Sequence, residues 1–340
     1  MNNELILKIV RASRMNDEKT VSSAVRELIR RERKQGHNNV ADQLERVLSL
    51  RAPHSSQRTI RDTVTAPAVP RSKGDGSALV DVRKCSKSLD DIVLREETAA
   101  KICRFLQEYS KQELLNRYGL LPKQKLLFFG PPGNGKTYAA EVIASELGLP
   151  LFYVRFDGLV GSYLGETASN LRKVFEFAHS GLGILFFDEF DAIAKRRNDP
   201  NDVGELKRVV NSFLQLLDGY QGKSPIIAAT NHEDILDYAL WRRFDDAVFF
   251  PLPNEVELQR YIKLRLSGFS IEGFASEDVA KWVLGFSFAV VQRIVTDAIK
   301  TMILTGEGVI SRGMLRDAIE RSRSSEIHKL DRMSEPNIHR

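Results

Sequence analysis

Cysteine is nearly absent from this chain: Cys85 and Cys103 are the only two among 340 residues, and no C-x-x-C pair occurs. That scarcity argues against a disulfide framework and a thiolate zinc site, and makes a reducing compartment, the cytoplasm, the expected location. Long apolar runs are missing too. None approaches the roughly 20 residues that cross a bilayer, so no membrane span is expected. The opening segment Met1–Lys8 has no basic stretch ahead of an apolar core and is not read as a secretion signal. The histidines are scattered and form no H-E-x-x-H pattern. Aromatics are absent from the N-terminal segment, since residues 1–71 contain no Phe, Tyr or Trp. That segment nonetheless carries all of the net charge of +5: it holds 14 Lys and Arg against 8 Asp and Glu, while the remainder holds 36 against 37. A basic stretch of this kind meets nucleic acid, an acidic protein surface or anionic lipid, or is a solvated helix face. Without aromatics to stack bases, nucleic acid suits it less well than protein.

What is present is a clear division along the chain. Residues 3–12, 17–34 and 38–50 read as helices. The second repeats Val21, Ala24, Val25, Leu28 and Ile29 at helical spacing, and the third repeats Val40, Leu44, Val47 and Leu48. Residues 1–50 are therefore expected to form a small helical docking module. Pro53, Pro67, Pro70, Gly74 and Gly76 then stand among Ser, Thr and Arg with no apolar period, so 51–87 is taken as a flexible linker. Beyond Leu89, short apolar runs alternate with helical stretches. Leu126–Phe129, Leu151–Val154, Ile184–Phe187, Ile226–Ala229 and Ala247–Phe250 read as strands, and 90–117, 136–147, 167–178 and 204–218 as helices. Apolar runs without polar alternation are strands covered on both faces, so the expected fold class is α/β, a parallel sheet between helices, over residues 88–253. From Asn254 the strands are expected to stop. Residues 255–266, 276–284, 288–304 and 311–321 read as an all-α lid spanning 254–322, followed by a polar tail over 323–340.

The strongest local signal follows the first of these strands: Gly130, Pro131, Pro132, Gly133, Asn134, Gly135, Lys136 and Thr137 in succession. It fits G-x-x-x-x-G-K-[ST], the loop that wraps nucleotide phosphates between a strand and a helix. Glycines let backbone N–H groups turn inward, Lys136 brings a point charge to the β- and γ-phosphates, and Thr137 offers a hydroxyl to Mg²⁺. Tyr138, next on the helix, is grouped with the nucleotide-binding residues. A second strand ends in Asp188 and Glu189. Asp188 is placed to hold Mg²⁺ through water, and Glu189 to polarise the attacking water as general base. A third strand ends in Asn231, which can orient that water. Arg242 and Arg243 are either surface charge or arginine fingers supplied across a subunit boundary.

In this order, closed by Phe244-Asp245 and Pro251-Leu252-Pro253, the motifs resemble those of the classical AAA ATPases over about residues 88–320. The chain is similar to the single-ring branch that includes katanin, spastin and the ESCRT-disassembly ATPase. In its compact build it also resembles bacterial stand-alone AAA ATPases encoded beside subtilisin-like proteases. Ser88-Leu89-Asp90-Asp91-Ile92-Val93 matches the segment that lies against adenine in that family, which implies ATP as the nucleotide and Ile92 as one of its contacts. The resemblance further implies a Mg²⁺-dependent ATPase, a homo-oligomer in the form of a hexameric ring, and Arg242 and Arg243 acting on the neighbour's ATP. It places a substrate-gripping loop at Gly161–Thr167, so that Tyr163, with Leu164, projects into a central pore; 195–204 resembles a second pore loop. An aromatic between glycines grips any extended polypeptide by apolar and stacking contact.

The implied function is ATP hydrolysis coupled to remodelling, unfolding or threading of a protein substrate, with a protease or adaptor as the partner of residues 1–50. No G-x-S-x-G or metalloprotease helix is present, so any proteolysis belongs to another chain. Two other readings stay open: a nucleic-acid-dependent remodelling ATPase, and an assembly scaffold in which ATP only controls ring formation. The lid departs from the family pattern. Where members usually carry Ser-Gly-Ala-Asp, this chain has Gly285-Phe286-Ser287-Phe288-Ala289-Val290, so Phe288 replaces a small residue near the ribose. Arg293 lies on the same helix outside any recognisable second-sensor motif.

Overall fold

The computed structural model describes residues 68–159 apart from Gly74, then 166–180, 182–190, 203–232 and 238–334, together with Glu27, Ile29 and Arg33. The chain divides into two compact units, Met1–Val64 and Thr65–Arg340. In the first, Glu27, Ile29 and Arg33 are helical, inside the helix expected over 17–34. The rest of the expected docking module lies outside the described residues.

The second unit begins with β1 (Val80–Arg83), a 3₁₀ turn (Leu89–Asp91), α1 (Glu96–Ser110), α2 (Gln112–Arg117), β2 (Lys125–Phe129) and α3 (Lys136–Glu146). It continues through β3 (Leu151–Val154), α4 (Phe156–Leu159), α5 (Glu166–Ser180), β4 (Ile184–Phe187), α6 (Val203–Asp218), β5 (Ile226–Thr230), α7 (Tyr238–Trp241) and β6 (Asp246–Phe249). The remaining elements are α8 (Glu255–Arg265), β7 (Ile271–Glu272), α9 (Ser276–Trp282), α10 (Phe288–Thr305), β8 (Ile310–Ser311) and α11 (Arg312–Ser334).

Six strands form one sheet in the order β1-β3-β4-β5-β2-β6, parallel except for β1, which pairs antiparallel with β3 at the edge. Successive side chains on a strand point to opposite faces. Leu127, Leu185, Phe187, Ile226 and Ala228 enter one core, and Leu126, Phe128, Ile184, Phe186, Ile227 and Ala229 enter the other. Because helices cover both faces, the strands show no polar alternation. Phe128, Phe186 and Phe187 are fully buried, and burial of such a side chain contributes roughly 1.5–3 kcal/mol. The helical part has its own core, built on Leu258, Ile262, Val279, Val291, Ile294 and Leu315. Its first helix is fixed by a capping box in which Asn254 and Glu257 bond each other's backbone N–H.

The five expected strands are present within one residue of their expected bounds. Four features differ from expectation. Val80–Arg83, assigned from sequence to the linker over 51–87, is an edge strand paired with Leu151–Val154. Its short, half-polar pattern is what an edge strand carries to discourage further pairing, and it reads in sequence as a loop. The stretch 90–117 breaks into the 3₁₀ turn, α1 and α2, with Lys111 off the helical conformation. β7 and β8 pair in parallel within the lid, where no strand was expected; two residues are too few to show a period. Finally, α11 runs to Ser334 through most of the expected tail, carried by Glu, Lys, Arg and Leu, which are good helix formers. No helix among the described residues is long and apolar enough to cross a membrane.

Candidate functional site

Between the end of β2 and the start of α3 the chain turns through positive φ at Gly130, Gly133 and Gly135. At Gly130 a Cβ would stand 2.4 Å from the backbone oxygen of Phe250, which excludes any side chain. Gly135, with φ 92°, is the residue that caps α3. The first N–H groups of that helix have no intrahelical acceptors and open onto the loop. The Lys136 ammonium is buried, donating to the carbonyls of Gly130 at 2.7 Å and Pro131 at 2.9 Å. A buried cation, a helix N-terminus and three positive-φ glycines in the turn before it together fit a polyphosphate.

Parallel pairing of β4 with β5 and of β5 with β2 brings the carboxyl ends of these three strands together. Thr137 Oγ1 donates to Asp188 Oδ2 at 2.7 Å, and the Tyr153 hydroxyl donates to the same oxygen at 3.3 Å. The other oxygen, Oδ1, accepts the Glu189 N–H at 3.0 Å. A hydroxyl against a carboxylate at the start of a phosphate loop is the donor set that suits a hydrated divalent cation, and Thr137 and Asp188 are the residues that would hold it. Burial, reinforced by the charge of Asp188, pushes the Tyr153 phenol up to about 12, so it keeps its proton and remains a donor at ordinary pH.

Glu189 has φ 48°, the one non-glycine among the described residues in the left-handed region. That conformation costs about 1 kcal/mol or more. Phe190 enforces it: its N–H donates to the Ala229 carbonyl at 2.8 Å, and its buried ring packs 4.6 Å from that of Phe213. The Glu189 side chain is left exposed at the strand end.

A cavity of about 590 Å³ unites the phosphate loop with Asp188, Glu189 and Asn231, and with Ile92 and Tyr138. Ile92 follows the 3₁₀ turn, which is closed by the Ser88 N–H and hydroxyl on Asp91 and tied to α3 through the Leu89 N–H on Glu146. The lid supplies the remaining wall, with Tyr261 and Arg265 from α8 and Phe288, Ala289 and Gln292 from α10. Phe288 packs 4.9 Å from the Tyr261 ring, whose hydroxyl donates to Gln292 at 3.3 Å. The lid thus offers an aromatic pair, Tyr261 and Phe288, to the cavity. Lys87 also lines the cavity, lying 3.9 Å from the centre of the Tyr138 ring and paired with Glu141. Lys87, Glu141, Tyr261, Arg265 and Gln292 are not marked in the sequence, because they meet only in the fold and helical spacing does not mark the face that lines a cavity.

Neither Arg242 nor Arg243 lines this cavity. Arg242 is exposed, and Arg243 Nε donates to Asp218 at 2.8 Å. Tyr163 and Leu164 lie outside the described residues, as does most of 195–204.

Residues 126–252 match the family described as ATPase family associated with various cellular activities (AAA). An uncharacterized AAA family ATPase of Sinorhizobium fredii, y4kL, is 38% identical over 301 residues, covering 88% of this chain and 89% of that protein. The proteasome-activating nucleotidase of Methanothermobacter thermautotrophicus is 35% identical over 219 residues, 62% of this chain and 53% of its own length. The ATP-dependent zinc metalloprotease FtsH 3 of Sphaerobacter thermophilus is 30% identical over 258 residues, 73% of this chain and 52% of its own. This chain therefore spans about half the length of the last two.

Proposed function

Because this chain belongs to the AAA family of ATPases, we propose that it couples Mg²⁺-dependent ATP hydrolysis to the remodelling, unfolding or threading of a protein substrate. The observation that carries this reading is the junction of Thr137 and Asp188, 2.7 Å apart beneath the phosphate loop, with Glu189 held beside them by a strained backbone. Lys136 and the N–H groups of α3 bind the β- and γ-phosphates. Thr137 and Asp188 hold Mg²⁺, which when bound offsets charge on the phosphate oxygens. Glu189 accepts a proton from the attacking water, and Asn231 orients that water. Ile92 and Tyr138 take the adenine side of the cavity.

Members of this family generally assemble into oligomeric rings, and the proposal takes this chain as a homo-oligomer, a hexameric ring in the cytoplasm. Arg242 and Arg243 then serve the neighbour's nucleotide, which agrees with their absence from the chain's own cavity. Tyr163, with Leu164, grips polypeptide in the pore. Residues 1–50 dock an adaptor or a protease, a role in keeping with relatives whose names speak of proteasome activation and ATP-dependent proteolysis. Steady-state hydrolysis tests the enzymatic core. Turnover that depends on Mg²⁺ and falls at least about a hundredfold in Glu189→Gln, with ADP affinity kept, supports it. Turnover unchanged in Glu189→Gln removes the assigned base and favours the scaffold reading.

A further inference from the structure

The Asp188 carboxylate is oriented from three directions, and one of the donors belongs to neither the phosphate loop nor its own strand. Tyr153 sits on β3, and its ring is held from the edge of the sheet: the Arg83 guanidinium lies 3.8 Å from the ring centroid. Arg83 is the last residue of β1, and its Nε is in turn fixed by Asp81 at 2.9 Å. The antiparallel register places Asp81 directly opposite Tyr153, so Arg83, two residues on, shares that face and meets the ring diagonally. On the sheet side the ring leans on Phe186, with centroids 5.6 Å apart. A guanidinium over a phenol face is an attractive contact that also restrains the ring's tilt.

Asp81, Arg83 and Tyr153 border a second cavity, of about 470 Å³, that shares Asp188 and Glu189 with the nucleotide cavity and otherwise has different walls. Tyr153 and Arg83 line that second cavity, and Tyr153 meets the nucleotide cavity at Asp188, which lines both.

We propose that Tyr153, clamped beneath Arg83, is a positioning residue for Asp188, so that the edge strand β1 sets how firmly the site takes Mg²⁺. The inference rests on the reading that Thr137 and Asp188 hold the metal. Groups that hydrogen-bond a metal's carboxylate fix its direction and raise metal affinity without touching the ion. The clamp also gives the residues just before the ATPase core a physical line to its catalytic metal, because β1 is formed by the chain on its way into the sheet.

Calorimetric titration of the full chain with ADP, once with Mg²⁺ and once with EDTA, measures the gain in affinity that the metal provides. Tyr153→Phe keeps the ring and the Arg83 contact and removes the hydroxyl alone. Its affinity for ADP in EDTA should equal that of the parent. Its Mg²⁺-dependent gain should fall about three- to tenfold, at the low end of outer-shell effects because the 3.3 Å bond is long. Arg83→Gln, which frees the ring but keeps the hydroxyl, should lower the gain about twofold, consistent with a modest loss of orientation. A parental gain in Tyr153→Phe, or an equal loss with and without metal, overturns the positioning role. Asp188→Asn separates the two claims. If it abolishes the gain while Tyr153→Phe keeps it, the positioning role alone is wrong; if it keeps the full gain, the metal reading itself is wrong.

Discussion

Ala289 donates its backbone N–H to the carbonyl of Gly133 at 3.0 Å, so the first turn of α10 is bonded directly to the phosphate loop. The approach is close. A Cβ on Gly133 would stand 2.8 Å from Ser287 Oγ and 2.9 Å from Ala289 Cβ, at a φ of 77° that disfavours side chains. Loop and lid therefore meet through a backbone contact that a glycine makes room for.

Gly133→Ala is expected to push the lid off the loop. Nucleotide affinity should fall at least about tenfold, from misplaced loop N–H groups and a displaced lid wall. Because the lid has its own core, the circular-dichroism helix signal should stay at the parental level. Parental affinity in this variant would show that the contact does not shape the site.

Glu189 offers a test of strain at the assigned base. Glycine adopts φ 48° without steric cost, so Glu189→Gly should be as stable as the parent or up to about 1 kcal/mol more stable in urea unfolding, while hydrolysis is lost. A variant less stable by more than about 1 kcal/mol would mean that the glutamate side chain supports the fold, against its exposed position.

The two arginines are predicted to act on a neighbouring subunit. Arg242→Ala and Lys136→Ala should each be inactive alone, since one lacks the trans-acting cation and the other the phosphate-binding lysine. Mixed in equal amounts, they should regain part of the parental turnover, because some interfaces then pair an intact loop with an intact Arg242. No recovery on mixing, in rings shown to exchange subunits, would place Arg242 outside the site. Arg243→Ala should also lower turnover, in part by releasing its 2.8 Å bond to Asp218.

The sheet was legible in sequence because it is buried on both faces. Leu126–Phe128 and Ile184–Phe187 are buried throughout, so they appear as unbroken apolar runs. The phosphate loop was legible because its backbone conformation restricts residue choice at consecutive positions, Gly130 most severely. β1 was not, since the alternation of Val80, Asp81, Val82 and Arg83 covers only four residues and follows a stretch rich in Gly, Ser and Pro. Tyr153 was passed over for a different reason. Its partners are Arg83 on a neighbouring strand and Asp188 at the end of another, and a hydrophobic pattern carries no trace of either bond. The lid wall of Tyr261, Arg265 and Gln292 was hidden in the same way, because helical spacing marks the face that packs inward and not the one that meets a ligand.

The central claim is that hydrolysis moves polypeptide, and a trapped ring tests it most directly. Glu189→Gln should bind ATP and stall before turnover; its captured proteins, recovered from the native host, are compared with those of the same variant carrying Tyr163→Ala. The account predicts a polypeptide held by the first and lost from the second. Equal capture by both, or recovery of nucleic acid in place of protein, would contradict it.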